Sequence, residues 1–150
     1  MTATIASPVT GAVVPMSDVP DPVFAQSMVG PGVAVEPEGG EQDALAPIAG
    51  TVVTLHPHAF VIAGADGKGV LVHLGIDTVK QQGEGFTLHV VKGETVRAGQ
   101  PLVRWNPETV RAAGYSAVVP VVALDAQADA LSGLPTGGPV TAGEQLFGWD

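Results

Sequence analysis

The sequence predicts an all-β fold: an antiparallel β-sandwich of short strands with an internal pseudo-repeat and at most one or two short helices. Three observations lead there. The 150 residues include 20 glycines and 13 prolines, so a helix breaker falls about every fifth position. The longest stretch free of both is Val121–Ser132, and helix bundles, coiled coils and doubly wound folds need many longer uninterrupted segments. Disorder is excluded because 45% of the residues are hydrophobic and only 14% are charged, enough apolar surface to bury a core. Finally, the chain repeats itself. Pro8-Val9-Thr10-Gly11-Ala12-Val13-Val14 recurs as Pro47-Ile48-Ala49-Gly50-Thr51-Val52-Val53, and Val96–Leu102 recurs as Val140–Leu146. Each pair keeps its turn glycines and alternating apolar residues in place, as repeated β-units do.

The elements follow in chain order. Met1–Ser7 precedes the first repeat and reads as a flexible tail on a single domain spanning residues 1–150. After the first repeat, Gly30-Pro31-Gly32 is a turn and Val33-Ala34-Val35 a strand. Glu36–Asp43 is polar and glycine-containing, a surface loop. Two apolar runs, in His56–Ala63 and Val70–Asp77, flank Asp66-Gly67 and form a hairpin. His89 belongs to the strand-like Thr87–Val91 and reads as a surface histidine. Val121, Leu124, Ala128 and Leu131 share one face of a short helix.

Charge and composition narrow the function. A formal net charge of −9 disfavours nucleic acid and anionic membranes and favours a partner with a basic patch. The first basic residue is Lys68 and there is no cysteine. Disulfides, thiolate nucleophiles and cysteine-based zinc sites are therefore excluded, and without the basic start of a signal peptide a cytoplasmic location is expected.

The chemistry lies between His56 and Asp77. With Asp66 and Gly67 at the centre of a two-residue turn, His73 falls opposite Phe60 and His58 becomes its diagonal neighbour on the same face. A three-residue loop changes that register. Two imidazoles among Phe60, Leu71 and Leu74 call for a partner. Three chemistries fit: zinc held by imidazoles and an acid, a phosphoryl group carried on one ring and hydrogen-bonded by the other, or acid–base work on a substrate. The zinc reading would use His56, His58, His73 and Asp77 as a metal-binding or metallohydrolase site. His56-x-His58 and His73-x-x-x-Asp77 look like the two halves of the LytM-type endopeptidase zinc site, but in the reverse order.

At His58-Ala59-Phe60 and His73-Leu74-Gly75-Ile76-Asp77-Thr78-Val79 the sequence resembles the glucose-type enzyme IIA of the bacterial phosphoenolpyruvate-dependent sugar phosphotransferase system. Val19–Ala25, Met28–Gly32 and Gly83-Glu84-Gly85-Phe86 extend the resemblance, which runs from about Pro8 to Phe147. It implies a β-sandwich phosphocarrier without a resident cofactor, and allows a regulatory role with transporters or kinases as further partners. His73 would accept a phosphoryl group on Nε2 from phospho-HPr and pass it to a cysteine of a sugar permease's IIB domain, with His58 hydrogen-bonding the phosphate oxygens. Phe24, Val29 and Leu71 match apolar positions that ring the site and bind partners in this family, although alternation alone cannot separate that role from plain core. Asp77 belongs at the rim, facing a basic partner, or caps the loop through Thr78. The family often has threonine where this chain has His56, so the hydrogen bond that threonine makes is replaced or absent here. Some members bind zinc between these histidines and a partner's carboxylate, and the resemblance allows His58 and His73 that role only in such a complex.

Overall fold

The computed structural model describes residues 3–64 and 66–150. Its strands are β1 (Ala3–Ala6), β2 (Gly11–Pro15), β3 (Gly32–Pro37), β4 (Gln42–Leu45), β5 (Gly50–His56), β6 (Ala59–Ala63), β7 (Gly69–His73), β8 (Thr87–Leu88), β9 (Thr95–Val96), β10 (Pro101–Trp105), β11 (Val119–Ala123), β12 (Leu131–Ser132), β13 (Pro139–Val140) and β14 (Gln145–Trp149). Two short helices, α1 (Pro22–Ala25) and α2 (Pro107–Ala112), each open on a proline behind an Asx cap, as helix starts favour. An eight-stranded antiparallel sheet has the order β13-β2-β3-β11-β7-β6-β5-β9, and two three-stranded sheets have the orders β1-β14-β12 and β4-β10-β8. The predicted all-β architecture is the observed one.

The repeat is a true pseudo-twofold. Read from either end, the large sheet presents equivalent strands, and β1-β14-β12 is matched by β4-β10-β8. Hydrogen bonds trade places across it: the Ala6 N–H donates to the Pro47 carbonyl at 2.9 Å and the Leu45 N–H to the Pro8 carbonyl at 2.9 Å. The Gly143 N–H donates to Ser7 at 2.9 Å and the Gly99 N–H to Ala46 at 2.8 Å. The pseudo-axis passes between the paired residues Val72 and Val121 of the two central strands.

Strand alternation then sorts side chains to two faces. Val70 and Val72, Phe60 and Ile62, and Val119, Val121 and Ala123 enter the main core. Leu71, Ala34, Val118 and Val122 face the other way and join Met16, Val19, Phe24, Ile76 and Val29 in a smaller apolar cluster. Every residue of β11 is buried because this central strand is covered on both faces. His73 follows Leu71 by two positions and shares its face.

Four expectations are corrected here. Ala3–Ala6 is no tail: it pairs with β14, with Ala3 opposite Trp149, and Ser7 is fully buried with its hydroxyl donating to the Val9 carbonyl at 2.7 Å. Of that predicted tail, Met1 and Thr2 lie outside the described residues. The Glu36–Asp43 loop shrinks to residues 38–41, because Glu36 and Pro37 pair with β2 and Gln42 and Asp43 with β10. The helix through Val121, Leu124, Ala128 and Leu131 is instead β11, a turn and a three-residue 3-10 segment, Ala128–Ala130. The ladders offered by β3 and β7 on either side of β11 override a weak 3.6-residue pattern. The hairpin register is also shifted by one. The Gly64 N–H donates to the Lys68 carbonyl at 2.9 Å, leaving three residues between them, of which Ala65 lies outside the described residues. Gly67, at φ +82°, takes the left-handed position such a loop requires, and Asp66 accepts from the Lys68 backbone N–H at 3.2 Å.

The matched glycines of the repeat are sterically required. A Cβ at Gly11 would lie 2.0 Å from the Glu36 carbonyl oxygen, and one at Gly50 2.1 Å from that of Ala63. Gly50→Ala is therefore expected to lower stability by about 2 kcal/mol in urea unfolding. An unchanged midpoint would show that β5 and β6 do not approach this closely.

Candidate functional site

The site forms at one end of the large sheet, where β6 begins and β7 ends. Ala59 lies directly opposite His73, and Phe60 opposite Val72. This corrects the expected His73–Phe60 pairing: Phe60 points into the main core, away from the histidines. His58 is not in a strand at all. It occupies the two-residue turn, Pro57-His58, between β5 and β6, so sheet alternation does not dictate its direction. The proximity of the two histidines nevertheless holds, with ring centroids 5.2 Å apart and planes at 70°.

The chain turns sharply as soon as it leaves His73. Gly75 takes φ +81° and Asp77 φ +61°. The buried Thr78 hydroxyl donates to the Leu74 carbonyl at 2.8 Å, and the Ile76 N–H donates to the Ser116 carbonyl at 2.9 Å. A Cβ at Gly75 would meet Thr78 Cγ2 at 2.6 Å and the Ser116 oxygen at 2.8 Å, so only glycine fits. This turn brings the Gly75 carbonyl back onto His73 Nδ1. A carbonyl oxygen only accepts, so Nδ1 carries the proton and Nε2 keeps its lone pair. His73 is thereby set as the Nδ1–H tautomer with a nucleophilic Nε2.

Both imidazoles are held neutral. Burial lowers the His73 pKa from its ordinary value, opposed by the Gly75 hydrogen bond and by the charges of Asp21 and Asp77. His58 is pushed down to about 4, first by burial and then by His73 and His56. A neutral His73 is a nucleophile, and a neutral His58 offers a single N–H donor beside it.

Around this pair lie the other residues singled out from sequence. The Phe24 ring packs against His73 at a centroid distance of 5.3 Å. It belongs with half-buried Val29 and Leu71 to the smaller apolar cluster. Asp77 is exposed and close enough to act on the charge of His73. The Thr78 hydroxyl, rather than the Asp77 side chain, caps the turn. His56 stacks on His58 at 5.6 Å and 23°. His89 lies away from this group, paired with Asp43 at 2.9 Å. Among the described residues no group of three or more His, Cys, Asp or Glu side chains is disposed to hold a metal ion, so His56, His58, His73 and Asp77 do not compose a ligand set.

Two participants were missed in the sequence. Asp21 acts on His73 from the start of α1, where its carboxylate accepts the Val23 N–H at 2.9 Å; the Asp-Pro pair marks a helix start and carries no sign of a distant histidine. The Gly75 carbonyl is a backbone group, and only the glycine itself hinted at it.

Known proteins are similar to this chain over most of its length. The family described as "phosphoenolpyruvate-dependent sugar phosphotransferase system, EIIA 1" matches residues 3–128. A glucose-specific EIIA component of Oceanobacillus iheyensis is 40% identical over 121 residues, covering 79% of this chain and 72% of that protein. A glucose-specific EIIBCA component of Corynebacterium glutamicum is 41% identical over 124 residues, 81% of this chain but only 18% of the longer protein. The structure of a glucose permease IIA from Mycoplasma capricolum superposes with a TM-score of 0.89 at 29% identity, covering 99% of this chain and 96% of that one.

The lowered His58 pKa has a consequence for stability. Unfolded, His58 regains the ordinary histidine value near 6.5, so between about 4 and 6.5 the unfolded chain binds more protons than the folded one. Stability is therefore full above pH 6.5 and falls as the pH drops toward 4. Denaturation measured across this range should show that loss, and His58→Gln should flatten it. An NMR titration of His58 with a midpoint near 6.5 would contradict the assignment.

Proposed function

Because the chain belongs to the EIIA 1 family of the phosphoenolpyruvate-dependent sugar phosphotransferase system, we propose that it is a phosphohistidine carrier in which His73 Nε2 takes up the phosphoryl group and His58 stabilises it. The observation that carries this reading is the contact of His73 Nδ1 with the Gly75 carbonyl: a carbonyl only accepts, which assigns the proton to Nδ1 and leaves the Nε2 lone pair to attack.

In the first step the Nε2 lone pair of His73 forms a bond to phosphorus as the P–N bond of phospho-HPr breaks. The HPr imidazole leaves with its electron pair. The His73 ring then carries both the Nδ1 proton and the phosphoryl group, and hence a positive charge. The Gly75 carbonyl, Asp21 and Asp77 offset that charge. In the second step a thiolate from the IIB domain of a sugar permease attacks phosphorus, the P–N bond breaks, and the ring returns to its neutral Nδ1–H form. No proton leaves Nδ1 in either step. Phosphoryl transfer asks mainly for positioning and charge stabilisation, and the His58 N–H supplies both from one side. A dianionic phosphate beside His58 also favours its cationic form, strengthening the contact once the group has arrived.

The surroundings support the same reading. Phe24, Val29 and Leu71 form an apolar collar that excludes water from a bond prone to hydrolysis. Exposed Val23, Met28 and Val79 extend it outward on the segments that carry Phe24 and Asp77, giving partners an apolar surface to cover. Asp21 and Asp77, in a chain of net charge −9, favour approach of a basic donor. That the family is fused to permease domains in EIIBCA relatives supports a IIB acceptor. Nucleophile, donor and anchor all come from this chain, so the carrier works as a single EIIA domain without a cofactor. No helix among the described residues is long and apolar enough to cross a membrane, and the proposed site of action is the cytoplasm.

Incubation with phosphoenolpyruvate, enzyme I and HPr should add the mass of one phosphoryl group to the wild-type protein and none to His73→Ala. An unmodified wild type, or a modified His73→Ala, would overturn the proposal. His58→Gln should still accept a phosphoryl group but pass it on about 10- to 100-fold more slowly; wild-type onward transfer would remove His58 from the mechanism. Elemental analysis of the isolated protein should find no stoichiometric zinc.

A further inference from the structure

One imidazole of the site has no part in the steps above. His56 lies directly opposite Ala59 across β5 and β6, and Ala59 lies directly opposite His73 across β6 and β7. Residues opposite one another in an antiparallel sheet share a face, so His56 and His73 flank Ala59 on the same surface. Two strand spacings separate them, about 10 Å. Ala59 carries only a methyl group and leaves a slot between them. The His58 ring, arriving from the turn, fills it: its centroid is 5.6 Å from that of His56 and 5.2 Å from that of His73.

The three rings are secured very differently. His73 is anchored through Nδ1 to Gly75. The His58 backbone is anchored, because its carbonyl accepts the Leu74 N–H at 2.7 Å. Yet among the described residues no hydrogen bond reaches the His58 ring, which packs against the two neighbouring imidazoles. The His58 ring meets His73 at 70° and His56 at 23°, so one contact is T-shaped against the reacting ring and the other is a tilted stack. Stacking on a ring face restricts χ1 and χ2 without consuming a ring nitrogen. A hydrogen bond from a polar side chain would instead engage one of the ring nitrogens.

We propose that His56 is a positioning residue for phosphoryl transfer, closing a slot over Ala59 in which His58 is held in its T-shaped contact with His73. The proposal rests on the phosphocarrier reading for its consequence but not for its geometry. His56 touches neither the phosphoryl group nor the attacking nitrogen; it acts through the orientation of His58. An aromatic ring should replace it and a small side chain should not.

The test compares His56→Ala and His56→Phe with the wild type in transfer from phospho-HPr to His73 and onward to a IIB domain. His56→Ala should still take up one phosphoryl group but transfer it about tenfold more slowly, as a misplaced donor does. His56→Phe should remain within about twofold of wild type. A wild-type rate for His56→Ala, or a rate for His56→Phe as low as that of His56→Ala, would overturn the proposal. Ring-to-ring NOEs between His58 and His73 check the slot without any transfer step. They should weaken in His56→Ala and persist in His56→Phe, and NOEs undiminished in His56→Ala would overturn the slot. A wild-type chain that takes up no phosphoryl group overturns the phosphocarrier reading, and the NOE comparison still decides the slot.

Discussion

The site depends on the contact between the Gly75 carbonyl and His73 Nδ1. It selects one tautomer of one imidazole and leaves the lone pair on Nε2. It exists because the backbone reverses through two left-handed residues, Gly75 and Asp77, immediately after a strand that ends on His73. Thr78 and Ser116 hold the reversal in place, and the buried side chains of Leu74 and Ile76 tie it to both apolar clusters. Replacing Gly75 would push on backbone as well as side chain, so the chemistry and the steric limits of this turn are one constraint.

The frame beneath is symmetric and the site is not. The pseudo-axis between Val72 and Val121 sets β7 against β11 and β6 against β3, so Val122 is the counterpart of His73 and Pro31 that of His58. In one half of the duplicated unit a strand end and the turn beside it carry two imidazoles. In the other it supplies apolar side chains to the cluster around Phe24, Ile76 and Val122. A duplicated sheet thus provides both the imidazole pair and the apolar surface next to it. Burial on that surface keeps both rings neutral, which ties the electrostatics of the site to its packing.

Much of this was legible in the sequence because it depends on period and punctuation. Alternating valines, turn glycines and the duplicated Pro8–Val14 and Pro47–Val53 segments dictate many short strands, and the hydrogen bonds exchanged between the halves show the repeat to be structural. The proximity of His58 and His73 was readable, but the reason for it was not. The pairing was expected from a two-residue turn, whereas Gly67 supports a three-residue one, and His58 reaches His73 from a turn of its own. Pattern also failed where tertiary contacts decide: Val121 and Leu124 fit a helical face until β3 and β7 offer Val119–Ala123 their ladders, and Ala3–Ala6 looks like a tail until Trp149 lies opposite it. The role of Asp21 required the fold, since α1 and β7 are distant in sequence.

The central claim is that Gly75 fixes the proton on Nδ1 of His73 and so assigns the phosphoryl group to Nε2. Long-range ¹H–¹⁵N NMR on ¹⁵N-histidine-labelled protein, before and after phosphorylation, reads both nitrogens directly. The account predicts a protonated Nδ1 in both states and a phosphorus-bound Nε2 in the second. A phosphoryl group on Nδ1, or an unphosphorylated His73 protonated on Nε2, would contradict it.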